Sequence, residues 1–232
     1  SWLILFVVSM FSLLSFFRDE YQEWSGLMAW STASVGSLAI LFSIGAHELF
    51  HMVTAQRNRV SVLNVTLFGF GGVHQIVWGN ANSRAEVVIA ISGPIGSIIL
   101  GFVFALLTLL APEHSPVLAV AVILAQANLA LGFLNIIPGL PLDGGRVLRG
   151  LLWAQSNDFW QATKIATILG RIAAWVMILG GVGLAFTHSF PVGLWIIVFG
   201  FLLEISDNEQ KRKVRLREIF DGFVACDLMD QG

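Results

Sequence analysis

The sequence predicts an all-α polytopic membrane protein of about six transmembrane helices, with a small membrane-associated β-hairpin. Three observations lead there. Of 232 residues, 56% are hydrophobic and only 12% charged, whereas a soluble domain carries roughly a quarter charged residues. Uncharged stretches close to the roughly 20 residues needed to cross about 30 Å of hydrocarbon recur along the chain. Basic residues collect in alternate connections between those stretches. An ordinary soluble enzyme, a disordered regulator and a nucleic-acid binder are excluded, and the net charge of −2 adds no polyanion signal. The single cysteine, Cys226, excludes a disulfide framework and a cysteine-based zinc finger.

The spans, in order, are Trp2–Phe17, Gly26–Ala46 (running on towards Gln56), Val87–Ala111, Ser115–Leu142, Ile165–Phe186 and Phe190–Leu203. The first lacks a basic leader and a small-residue cleavage site, so it reads as a transmembrane helix cut at its start and not as a signal peptide. The chain opens on Ser1 and reads as a fragment. The second span is too long for one bilayer crossing if taken to Gln56, so it should tilt or project. Arg171 interrupts the fifth, near enough to the inner end to snorkel or to pair within the bundle. The sixth is short.

Six spans place both termini on one side. With that side cytosolic, the inner segments hold Arg57, Arg59, Arg84, Arg146, Arg149, Lys164 and the cluster Lys211, Arg212, Lys213, Arg215 and Arg217. The outer loops hold Arg18 beside Asp19, Glu20, Glu23 and Glu113, an asymmetry of the positive-inside kind.

Two segments are expected to be non-helical. Val60–Val77 alternates partly, with a register break between Val62 and Val65, and continues into the glycine-rich stretch Phe68–Val73. This favours a hairpin, the alternative being an amphipathic surface loop. In Asn135–Arg146, Pro138 and Pro141 cannot continue the preceding helix. Broken backbone at membrane depth is tolerated where protein or a water-filled cavity satisfies it, so a polar cavity near the inner face is expected.

Span two ends in His47-Glu48-Leu49-Phe50-His51. Histidines at i and i+4 share one helix face about 6 Å apart, so both imidazoles can reach one ion at about 2.0–2.1 Å. Glu48 lies beside the metal and can take a proton from its water, the H-E-x-x-H pattern of zinc hydrolases. The bland alternative is a helix end with water-facing histidines. Beside a long uncharged run, however, each such polar group is costly. If the helix ends near Gln56, His47 lies about 13 Å in from that end. A catalytic zinc needs a third protein ligand and an open position. The remaining candidates are Glu86, Asp143 and His74, because His114 and His188 fall in outer loops. Asp143 lies in the broken segment before Gly144 and Gly145; it could also cap the helix continuing through Val147–Leu152.

His47-Glu48-x-x-His51 together with Asn135-x-x-Pro138-x-x-Pro141-Leu142-Asp143-Gly144-Gly145 resembles the site-2 protease family of intramembrane zinc metalloproteases, over most of the chain from span one to span six. The resemblance implies Zn2+ held by His47, His51 and Asp143, Glu48 as catalytic base, and Asn135 holding the substrate or the oxyanion. It implies a membrane-anchored protein substrate, often a single-pass protein tethering a transcription regulator or an anti-sigma factor. Gly93-Pro94-Ile95-Gly96-Ser97 resembles the family's small-residue element in span three; plain helix packing against span two is its expected role. Phe68–Val73 matches the place of the family's membrane-inserted β element, whose edge could hold an unwound substrate by β-augmentation. His74 beside it could touch substrate or metal, or be an ordinary strand histidine.

The expected organisation is a transmembrane metalloprotease core over residues 1–206 and a cytosolic basic tail over 207–232. In that tail Phe223–Met229 resembles the opening of a CBS module, here truncated; nucleotide would be a partner only through such a module. The competing function is a metal-ion transporter using the same His/Glu/Asp cluster, although no inverted repeat is visible. A serine intramembrane protease lacks its G-x-S-x-G, and an aspartyl one lacks a second intramembrane aspartate.

Overall fold

The computed structural model describes residues 2–60, 62–68, 71–76, 82–187 and 192–205. Its helices are α1 (Trp2–Glu20), α2 (Gly26–Arg57), α3 (Ser83–Thr108), α4 (Pro116–Ile136), α5 (Asp143–Ser156), α6 (Phe159–Thr187) and α7 (Val192–Ile205). Two strands, β1 (Val62–Phe68) and β2 (Gly71–Ile76), lie between α2 and α3. Five of the described helices, α1, α2, α3, α4 and α6, are long and apolar enough to cross a membrane. The sixth expected span corresponds to α7, which at 1.5 Å per residue is about 21 Å long. That is shorter than the roughly 30 Å hydrocarbon core.

The chain divides between Asn135 and Ile136 into two compact units. In the first, α2 is one continuous helix of 32 residues, about 48 Å, so the second span does run on past Gln56. Ser25 caps it by accepting from the Met28 N–H at 3.3 Å. It ends at Asn58, whose side-chain amide donates to the Thr54 carbonyl at 2.8 Å. At the other end of the unit Leu14, Phe17, Ala29, Ala33 and Ala119 form a buried apolar cluster of α1, α2 and α4. Beside it Tyr21 stacks on Trp24, centroids 4.2 Å apart, and the Trp24 indole N–H donates to the His114 carbonyl at 3.1 Å. This clasp ties the α1–α2 turn to the α3–α4 turn.

The strands pair antiparallel, with Val65 opposite His74 and Phe68 opposite Gly71. The pairing shifts between Val62 and Asn64, near the break the alternation suggested. Asn82 then caps α3, its side chain accepting from Ala85 N–H at 2.8 Å. Ala55, Val60, Ala85 and Ile89 seal the α2–α3 end.

In the second unit the helix break falls where the prolines place it. After α4 stops at Ile136, the backbone runs irregularly to α5. This segment is satisfied by α6, since the Leu140 N–H donates to the Ala166 carbonyl at 3.1 Å. Such an approach requires bare backbone on both sides. A Cβ on Gly170 would collide with the Leu140 carbonyl oxygen, and one on Gly139 with the Gly170 backbone. Asn157, left-handed at φ 54°, closes α5, and Asp158 opens α6 by accepting from the Trp160 and Gln161 N–H groups at 2.8 and 3.0 Å. Leu142, Ala174 and Leu203, with Ile137, Met177 and Phe199 against them, make the unit's core. The tail from Lys211 onward, its CBS-like stretch and His188 lie outside the described residues.

Gly170→Val should destabilise this unit by about 1–3 kcal/mol through overpacking. Thermal unfolding in detergent should show a lowered Tm, with Gly180→Val as the control, since a Cβ there meets nothing within 4 Å.

Candidate metal centre

Helical spacing alone brings His47 and His51 to one face of α2; the neighbouring helix aims their rings. Both are buried, at 4% and 2% exposure. The His51 Nδ1–H donates to the Ile89 carbonyl at 2.8 Å. A carbonyl only accepts, so His51 carries a proton on Nδ1 and turns Nε2 inward. His47 places Nδ1 2.8 Å from the Ser97 hydroxyl. The two Nε2 atoms then face each other at 3.2 Å, with the rings nearly perpendicular at 83°. Two nitrogens bound tetrahedrally to zinc at about 2.0–2.1 Å would stand about 3.3 Å apart. The pair is therefore set at the edge length of a zinc tetrahedron, with outward nitrogens hydrogen-bonded as metal-binding imidazoles require.

α3 forms the opposing wall. Ile89, Gly93 and Ser97 recur every four residues, one stripe of the helix. Gly93 lies against the Nε2 edges of both rings: a Cβ there would collide with His51 Nε2 and lie 2.8 Å from His47 Nε2. One turn on, a Cβ at Gly96 would run into the Phe50 ring, and the Ser92 hydroxyl donates to the Phe50 carbonyl at 3.2 Å. The small residues of span three pack against α2 as expected, and in doing so make room for the two imidazole rings and bond one of them. The sequence displayed the small residues, but not that the hydroxyl of Ser97 and the carbonyl of Ile89 would meet imidazoles.

Glu48, beside His47 on α2, is 6% exposed. Glu86 is buried in the first turn of α3. In the second unit Asp143, 7% exposed, is the first residue of α5. It does not cap the helix: the cap position is Leu142 and no side chain bonds there. Its carboxylate instead faces the Arg146 guanidinium at 3.4 Å. Gly144 and Gly145 let this turn of α5 lie on the backbone of Ile136–Leu140, where a Cβ on either would collide. Asn135, half-buried at the end of α4, donates from its amide to the Leu131 carbonyl at 2.9 Å. His74 falls in β2 opposite Val65.

Bilayer-length helices around a buried, metal-ready histidine pair with an adjoining glutamate define a membrane-embedded scaffold of the metallopeptidase class. Peptidase family M50 matches residues 35–114 and 110–179, and the chain belongs to that family, the site-2 proteases. Rip3 of Mycobacterium tuberculosis is 32% identical over 98% of this chain and 59% of its own. The zinc metalloprotease MJ0392 of Methanocaldococcus jannaschii is 28% identical over 83% of this chain and 54% of its own. The chain therefore spans less than two thirds of the length of these relatives. The solved site-2 protease from Methanocaldococcus jannaschii shares the fold, with a TM-score of 0.65 at 24% identity over 89% of this chain and 88% of that one.

Gly93→Ala should push the His51 ring off its place and lower bound zinc in the purified protein well below that of the parent. Metal analysis beside circular dichroism should show the metal lost and the helices kept.

Proposed function

We propose that this protein is an intramembrane zinc metalloprotease that hydrolyses a peptide bond in or near the transmembrane segment of a membrane-anchored protein. The observation that carries the reading is the Nε2 pair at 3.2 Å with a buried glutamate at the next residue. In this reading His47, His51 and Asp143 hold the ion. All three are buried, and two imidazoles with one carboxylate form a donor set found in catalytic zinc sites, which leave one position open. Family membership favours hydrolysis over ion transport by the same cluster.

Bound zinc supplies a Lewis acid that polarises the scissile carbonyl and makes water acidic enough to attack near neutrality. Glu48 accepts the proton of the attacking water on its carboxylate and hands it to the leaving amine. The Asn135 amide, one N–H of which serves Leu131, has a second, and in this reading it holds the substrate carbonyl or the oxyanion. Arg146 keeps the Asp143 carboxylate oriented. In this reading an unwound substrate segment adds as a strand to the β1–β2 pair, which we assign as membrane-associated. We place both termini in the cytosol on the distribution of arginine and lysine. We divide the chain into a metalloprotease core over 1–206 and a basic tail over 207–232.

Glu48→Gln should abolish cleavage of a model transmembrane substrate while leaving zinc content at the parent's level. Fragment analysis alongside metal analysis checks both halves, and continued turnover by that variant would defeat the mechanism. Asp143→Asn should lose both zinc and activity, and a chelator should stop the parent enzyme until zinc is restored.

A further inference from the structure

The two histidines are held by different kinds of partner. His51 Nδ1 meets a backbone carbonyl at 2.8 Å, which can only accept, so one tautomer is imposed. His47 Nδ1 meets the Ser97 hydroxyl at 2.8 Å, which can accept or donate. If the hydroxyl donates, the His47 proton sits on Nε2 and that nitrogen cannot bind a metal. If it accepts, Nδ1 carries the proton and Nε2 is a ligand. Ser97 is 0% exposed, so no solvent water competes for either arrangement. A helical serine that accepts at its oxygen can still place its own proton on a carbonyl one turn back.

We propose that Ser97 is a positioning residue of the metal centre: its hydroxyl sets the tautomer of His47 and turns Nε2 of that ring to the ion. The inference rests on the reading of His47 and His51 as metal ligands and deepens it. Ser97 touches neither substrate nor metal; it acts through His47. Gly93, between the two contacts on the same stripe of α3, gives the ring edges their space, and Ser97 gives one of them its direction. A residue at this position without a hydrogen-bonding group leaves His47 free to rotate or to protonate at the wrong nitrogen. Partners of this kind typically contribute about 10–100-fold in metal affinity.

The test measures zinc affinity of the purified chain in detergent by chelator competition, and substitutes cobalt to read the ligand field. Ser97→Ala should bind zinc about 10–100-fold more weakly than the parent and shift the visible cobalt spectrum. Ser97→Thr should restore both, whereas Ser97→Val, of the same shape without the hydroxyl, should not. An alanine variant with the parent's affinity and spectrum would overturn the inference while leaving the metal reading intact. Threonine behaving no better than valine would also overturn it, by showing that the site needs only volume. Should the β-branched pair fail to fold, the alanine comparison decides alone. A parent that binds neither metal would overturn the ligand reading and this inference with it.

Discussion

Two imidazole nitrogens facing each other at 3.2 Å, inside a helix that is otherwise apolar for most of its length, are the constraint that organises the first unit. Ring nitrogens at that separation must share a proton or a cation, and burial removes the water that would otherwise serve them. The chain meets this with hydrogen bonds on the far side of both rings. Those bonds come from α3, so the stripe Ile89, Gly93 and Ser97 is chosen by the histidines. Along α2 the motif lies well inside the helix end at Arg57, where both rings are buried.

The second unit solves a different problem. A carboxylate at the start of a short helix must be presented from a segment that cannot itself be helical. Pro138 and Pro141 stop α4, and the freed backbone is taken up by α6 through the Leu140–Ala166 hydrogen bond. Gly139 and Gly170 permit that approach, and Gly144 and Gly145 let the start of α5 lie on the same segment. Asp143 is placed by backbone contact on one side and by Arg146 on the other.

Much of this was legible in the residues. The spacing of His47 and His51 specifies a shared helix face, the two prolines specify a break, and the partial alternation after Val60 specifies a strand pair with an irregularity near Val62. What composition could not settle was length. Apolar content marks Gly26–Ala46 and leaves open whether the helix runs on towards Gln56; it continues through the polar motif to Arg57, because local hydrogen bonding does not stop where hydrophobicity does. Phe190–Leu203 is apolar yet forms only a short helix. The role of Ser97 was hidden for another reason: a serine that packs two helices and a serine that orients a ring leave the same trace in a sequence. Only the position of a ring belonging to another helix separates them.

The contact between α6 and the irregular segment is made of main chain on both sides. Side chains can change rotamer and absorb a displacement; main chain against main chain cannot. A rotation or slide of α6 about its own axis is therefore conveyed without slack to Leu140 and onward to the start of α5, so the helix acts as a rigid lever on the carboxylate that follows.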